Sequence, residues 1–201
     1  MPHSFFSEKE FYFPPVSDAS DDGLLIIGGE PTPARVLEAY TKGIFPWYSE
    51  GEWPQWWSPD PRFILLPNDL HISRSMKRLM SKNVFDFAID TAFENVISAC
   101  ASAKRKEQNG TWITPEIKET YTQLHYSGYA HSAEAWKNGE LVGGMYGILL
   151  GNVFFGESMF SKVANASKFA FITYVRQLQQ TGVQLIDCQV FSAHVESLGG
   201  L

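Results

Sequence analysis

Apolar side chains recur at helical spacing through the middle of this chain and then switch to the alternation of strands. Phe93, Val96, Ile97 and Cys100 share one face of a segment ending at Ala103, and Thr91 with Glu94 offers it a capping box. Thr114-Pro115 opens a second helix that stops at Gly128, threonine accepting from orphan amides and proline suiting the first turn. There the period changes. Residues 130–136 read as a strand, Asn138-Gly139 as a hairpin turn and 141–150 as the second strand; a Gly151-Asn152 turn leads to a third at 153–155. Residues 165–180 return to helical spacing, with Phe169, Ile172, Val175 and Arg176 about a turn apart and Gly182 at the end. Residues 183–190 form a last strand. Three antiparallel strands, a helix and a returning strand predict an α+β layer.

Upstream the pattern is less regular. Residues 1–22 are polar and contain proline, which predicts an arm with little regular structure. Thr32-Pro33 starts a helix that Gly43 closes after Tyr40. Residues 44–62 hold four prolines and four tryptophans and predict a loop of fixed geometry. Residues 67–83 carry His71, Arg74, Lys77, Arg78 and Lys82 on a short helix, and Lys104-Arg105-Lys106 begins a charged loop ending at Gly110. A small N-terminal lobe at 1–62 and a larger α+β domain at 63–201 follow from this layout.

A chain of 201 residues can bury a substantial core. Its 15 Phe, 8 Tyr and 6 Trp are more telling, because Trp47, Trp53, Trp56 and Trp57 crowd together. That density suits a pocket for something flat or apolar, with core packing as the alternative. A net charge of -6 argues against wholesale wrapping by nucleic acid but leaves room for a local basic patch. Arg74, Lys77, Arg78 and Lys82 supply one at helical spacing, either to grip phosphates without reading sequence or as a solvated helix face. Cys100 and Cys188 sit in no metal or redox spacing, and the histidines at 3, 71, 125, 131 and 194 in no ligand spacing, so no metal and a reducing compartment are expected. No phosphate-loop fingerprint occurs, and no apolar run reaches membrane-spanning length or the core of a signal peptide. These features predict a cytoplasmic protein with no cofactor.

Two places bear chemistry. Gly156, Glu157, Ser158 and Ser161 follow an aromatic strand end, where a sheet rim positions polar groups. In the last strand, alternation puts Asp187 and Gln189 on one face and Ile186, Cys188 and Val190 on the other. An aspartate in an apolar strand is costly to bury unless it is hydrogen-bonded or working. It is either pinned by backbone donors or, with the neighbouring amide, deprotonates a nucleophile. Cys188 with His194 allows a rival thiolate–imidazole pair, although the apolar face favours a structural thiol.

Taken in order, GIFPWY (43–48), WWSPDPR (56–62), LHISRSMKR (70–78), GTWIT (110–114), LVGGMYG (141–147), FFGESMFS (154–161), NASK (165–168) and LIDCQ (185–189) closely resemble the leucyl/phenylalanyl-tRNA–protein transferase family. The resemblance implies a bacterial, cytoplasmic and monomeric enzyme that moves Leu, Phe or, less well, Met from aminoacyl-tRNA onto proteins beginning with Arg or Lys, marking them under the N-end rule. It also implies a small N-terminal domain and an acetyltransferase-like (GNAT) domain. The family's apolar side-chain pocket maps onto Trp47, Trp112, Met145, Phe154 and Met159, with Phe171 and Tyr174 from the helix and Ser158 beside it. Glu157, Asp187 and Gln189 map onto the catalytic group, and the basic helix onto the tRNA contact. Asp187 and Gln189 are expected to guide the amine and take its proton. Glu157 is expected to hold an ammonium group, either the aminoacyl α-amine or the acceptor's basic end. Family members usually continue beyond the equivalent of SLGG, so a missing C-terminal segment would leave the last strand's neighbours unpaired. An acyl-coenzyme A-dependent acyltransferase and a non-catalytic binder of basic N-termini are the alternatives.

Overall fold

A computed structural model describes residues 11–103 and 111–201. The first ten residues of the expected arm and the charged loop at 104–110 lie outside the described residues. Two sheets organise the rest. The smaller joins β1 (Leu24–Ile27), β2 (Phe45–Pro46) and β3 (Gln55–Trp57) in the order β1-β3-β2. The larger holds β4 (Ile64–Leu65), β5 (Asp86–Ile89), β6 (Ala130–Lys137), β7 (Glu140–Leu150), β8 (Val153–Ser161) and β9 (Leu185–Asp187) in the order β4-β9-β8-β7-β6-β5. Among the described residues only β8 and β9 pair in parallel. The longer helices are α1 (Pro33–Thr41), α2 (Arg74–Met80), α3 (Phe93–Ser102), α4 (Pro115–Tyr126) and α5 (Ala166–Gln180), followed by the single turn α6 (Ala193–Glu196).

The segment at 44–62 is therefore not loop throughout, because β2 and β3 lie inside it. Trp56 and Trp57 can be strand residues there since their indole N–H groups are satisfied, Trp56 by the Gly28 carbonyl (2.9 Å) and Trp57 by that of Trp47 (2.7 Å). Phe13 packs edge-on against Trp56, ring centroids 4.9 Å apart. The small sheet and α1 build no core of their own: Ile26, Val36, Tyr40 and Trp56 share one apolar cluster with Val96, Ile117, Tyr121 and Phe155. A second cluster lies on the opposite face of the large sheet, where Phe169, Ile172 and Val175 of α5 meet Met145, Phe154 and Ile186. Met145 and Tyr146 fall in different clusters, as neighbours in a strand should.

The hairpin turns form where glycine and asparagine stand, with positive φ at Asn138, Gly139 and Gly151. Gly143 is required by packing. A Cβ there would sit 2.5 Å from the Ala166 Cβ at the start of α5.

Five further expectations change. The third strand runs on to Ser161, and the last stops at Asp187. The stretch at 67–83 divides into a 3₁₀ turn (Pro67–Asp69) and α2. Thr91 and Glu94 form no capping box: α3 is capped from β6 by the buried Glu134, whose Oε1 accepts from the amides of Thr91 (3.0 Å) and Ala92 (2.8 Å). Finally, β9 is not left with an open side. β4 pairs along its outer edge, and Leu201 exchanges two backbone hydrogen bonds of 2.9 Å with Ile64.

Candidate active site

The parallel pairing of β8 with β9 lasts from Val153↔Leu185 to Phe155↔Asp187, and then the strands separate. β8 continues against β7, whereas Gln189 takes a left-handed conformation at φ +62° that no strand continues. The gap opens into a cleft of about 750 Å³, walled by residues 156–162 on one side and 188–192 on the other. Its size suits a small-molecule group rather than a bare surface.

Glu157 is the one carboxylate among the described residues lining this cleft. Its Oε1 accepts from the Tyr40 hydroxyl (2.6 Å) and the Gln189 side-chain amide (2.8 Å), and Oε2 from the Tyr121 hydroxyl (3.3 Å). The two tyrosines, from α1 and α4, also bond each other at 2.6 Å. A hydroxyl has one proton, so with Tyr40 donating to Glu157, Tyr121 donates chiefly to Tyr40. Burial pushes the Glu157 carboxyl up from 4.5 to about 7. The donors from Tyr40, Gln189 and Tyr121 pull it down, while the charge of Asp187 adds to the rise. Burial, and next the Glu157 charge, hold both tyrosines well above the ordinary tyrosine range, so they act as hydrogen donors.

Asp187 is not among the cleft-lining residues. Buried behind the cleft, it accepts from Arg62 Nε at both oxygens (2.8 and 3.1 Å) and from the Gln189 backbone amide (2.9 Å). Asp187 and Gln189 are thus linked by a turn and not by strand alternation. Asp187 shapes the backbone, and Gln189 turns its amide into the cleft.

Of the expected apolar pocket, Trp47, Trp112, Met145, Met159 and Phe171 line the cleft, together with buried Ser158. Phe154 and Tyr174 do not. They pack edge to face at 5.2 Å in the core behind, because Phe154 points to the α5 side of the sheet. Cys188 and His194 both line the cleft, but burial, aided by the Asp187 charge, pushes the thiol up to about 12, which leaves no thiolate at neutral pH. Arg74, Lys77, Arg78 and Lys82 are solvent-exposed on and just beyond α2, away from the cleft lining.

Three residues of the site escaped sequence reasoning. Tyr40 and Tyr121 lie on different helices, 81 positions apart, with no sequence signal that their hydroxyls meet. Arg62 stood in plain view as the charged end of WWSPDPR, but its partner lies 125 positions away.

Comparison with known proteins gives a consistent picture. The family model described as leucyl/phenylalanyl-tRNA protein transferase matches residues 64–201, and that of its N-terminal domain matches 29–60. Similar relatives bear the name leucyl/phenylalanyl-tRNA–protein transferase. That of Christiangramia forsetii is 52% identical, with 97% of this chain and 93% of the relative covered. That of Flavobacterium johnsoniae is 50% identical, covering 97% and 92%, and that of Syntrophus aciditrophicus 52% identical, covering 95% and 80%. A solved structure of a functionally unknown protein from Staphylococcus epidermidis aligns at 11% identity and a TM-score of 0.45, over 98% of this chain and 93% of that one.

Proposed function

Because the chain belongs to the leucyl/phenylalanyl-tRNA–protein transferase family, and so is an aminoacyltransferase acting from aminoacyl-tRNA onto proteins, we propose that Glu157 and Gln189 carry its chemistry. The donors are Leu-, Phe- and less efficiently Met-tRNA, the acceptors are polypeptides beginning with Arg or Lys, and the product enters N-end-rule degradation in the bacterial cytoplasm. The enzyme works as a monomer. One observation supports this reading above the rest: an apolar-walled cleft opens at the point where two paired strands part, with a single carboxylate among the described residues of its wall.

The aminoacyl side chain enters among Trp47, Trp112, Met145, Met159 and Phe171. Selection there is apolar and coarse, since one methylene is worth only about 1–3 kcal/mol. The ester is already activated by its bond to tRNA, so what remains is to free the amine and position it. Glu157, poised at about 7, takes a proton from the acceptor's α-ammonium. Gln189 commits its amide N–H to Glu157 and leaves its carbonyl oxygen to accept from the same nitrogen. The neutral amine attacks the ester carbonyl carbon, and the bond from that carbon to the ribose oxygen breaks. The second proton lost by the nitrogen ends on that ribose oxygen. Asp187 serves this step from behind by fixing the Gln189 turn, and the basic residues of α2 contact tRNA phosphates.

The decisive assay offers labelled Phe-tRNA with an Arg-initiated or an Ala-initiated peptide. Label on the Arg-initiated peptide alone is expected. Binding without label, or label only from an acyl-coenzyme A donor, overturns the reading.

A further inference from the structure

We propose that Arg62 is a positioning residue of the transfer reaction: it locks the Asp187–Gln189 turn that aims the Gln189 amide at Glu157, and it screens Glu157 from the charge of Asp187. This rests on the reading of Glu157 as proton acceptor. Arg62 precedes β4 and reaches into two elements at once. Its Nε lies between the Asp187 oxygens, and its guanidinium carbon stands 4.9 Å over the ring of Phe45, a cleft-lining residue of β2. The fit is tight enough that Arg62 Nη2 is buried with no hydrogen-bond partner, a cost that a purely structural contact would not favour. Backbone bonds continue the clamp, from the Cys188 amide to the Phe63 carbonyl (3.0 Å) and from the Phe63 amide to the Gln189 carbonyl (3.3 Å). A left-handed glutamine is uncommon, and these contacts together hold it.

The electrostatic part follows from what surrounds Glu157. Tyr40 and Tyr121 face it from α1 and α4, and both stay neutral. Asp187 faces it from β9 as a like charge, backed by Arg62. Cys188, His194 and Lys162 border the same cleft, with burial, and then Lys168, holding His194 below its usual value. Removing the Arg62 charge leaves the repulsion from Asp187 unopposed, which disfavours ionised Glu157. Removing the Asp187 charge does the opposite. A contact that only stabilises the fold has no reason to give shifts of opposite sign.

The test is the pH dependence of kcat/KM for transfer from Phe-tRNA in six proteins: wild type, Arg62→Met, Arg62→Lys, Asp187→Asn, the double variant Arg62→Met/Asp187→Asn, and Glu157→Gln. The acid limb is expected to move up by about one unit in Arg62→Met, down in Asp187→Asn, and to an intermediate place in the double variant. Arg62→Lys keeps the limb near its wild-type position but loses rate, because an ammonium lacks the planar fork of donors. If Arg62→Met does not fold, Arg62→Gln takes its place, with the same upward shift expected. A limb fixed in Arg62→Met, when Glu157→Gln moves it to that of the acceptor's own α-amine at about 8, overturns the Arg62 proposal and spares the Glu157 reading. A Glu157→Gln limb left at its wild-type position, not moved to that of the acceptor's own α-amine at about 8, overturns the Glu157 reading itself.

Discussion

Glu157 answers to two opposing demands, and both leave a measurable trace. Its carboxyl holds a proton more tightly in the folded protein, at about 7, than at its ordinary 4.5. Its contribution to stability is therefore full below about pH 4.5 and is lost as pH rises through about 7. Activity runs the other way, since proton acceptance needs the ionised form. Transfer is expected to rise across neutral pH while the melting temperature falls. Glu157→Gln should lower kcat/KM by about 10²-fold or more and melt above the wild type at pH 8, an advantage that shrinks by pH 5. Melting curves at the two pH values, set beside transfer rates, check both halves. A variant that loses activity without that gain at pH 8 shows that burial does not oppose the charge.

Among the elements, the buried Glu134 shows how a strand can start a helix. Its carboxylate receives the amides of Thr91 and Ala92, the hydroxyls of Thr91 and Ser132, and the indole N–H of Trp136. Glu134→Ala leaves several buried donors without a partner and should cost about 3 kcal/mol or more, read by urea unfolding. Gly143→Ala drives a methyl group into the first turn of α5 and should cost about 1–3 kcal/mol by the same measurement. These two residues mark what sequence reading reaches. The hairpins were legible because Asn-Gly and Gly-Asn report local backbone geometry, and α5 because its apolar face repeats. The capping box at Thr91 failed because the true acceptor comes from a strand some forty residues on. Strands β1 to β5 were missed because each has four residues or fewer and takes its pairing from outside its own neighbourhood in the chain. That Glu157, Asp187 and Gln189 lie close together was legible from motif resemblance. That Asp187 stands behind the cleft was not, since it depends on a left-handed residue and an arginine from another part of the fold.

For the molecule as a whole, net charge is -6, yet its donor substrate is a polyanion. Association therefore depends on local cations, and α2 with Lys82 offers an exposed group of them. Lys77→Glu with Arg78→Glu should raise the Michaelis constant for aminoacyl-tRNA severalfold and flatten its dependence on salt, with kcat little altered. Unchanged salt dependence would make that helix a solvated face and send the search for the tRNA contact elsewhere. The shared core makes a related point about cooperativity. Tyr40 and Trp56 pack in one cluster with Tyr121 and Phe155, so the small sheet and the large one should melt in a single transition by tryptophan fluorescence and by circular dichroism.

The cleft draws one wall from residues 45–47 and another from residues 188–195. A chain emerging from the ribosome thus carries its tryptophans long before it carries the turn that faces them. With Gln189 in its proposed role, a nascent polypeptide of this sequence should gain the ability to use aminoacyl-tRNA only once translation has passed that turn.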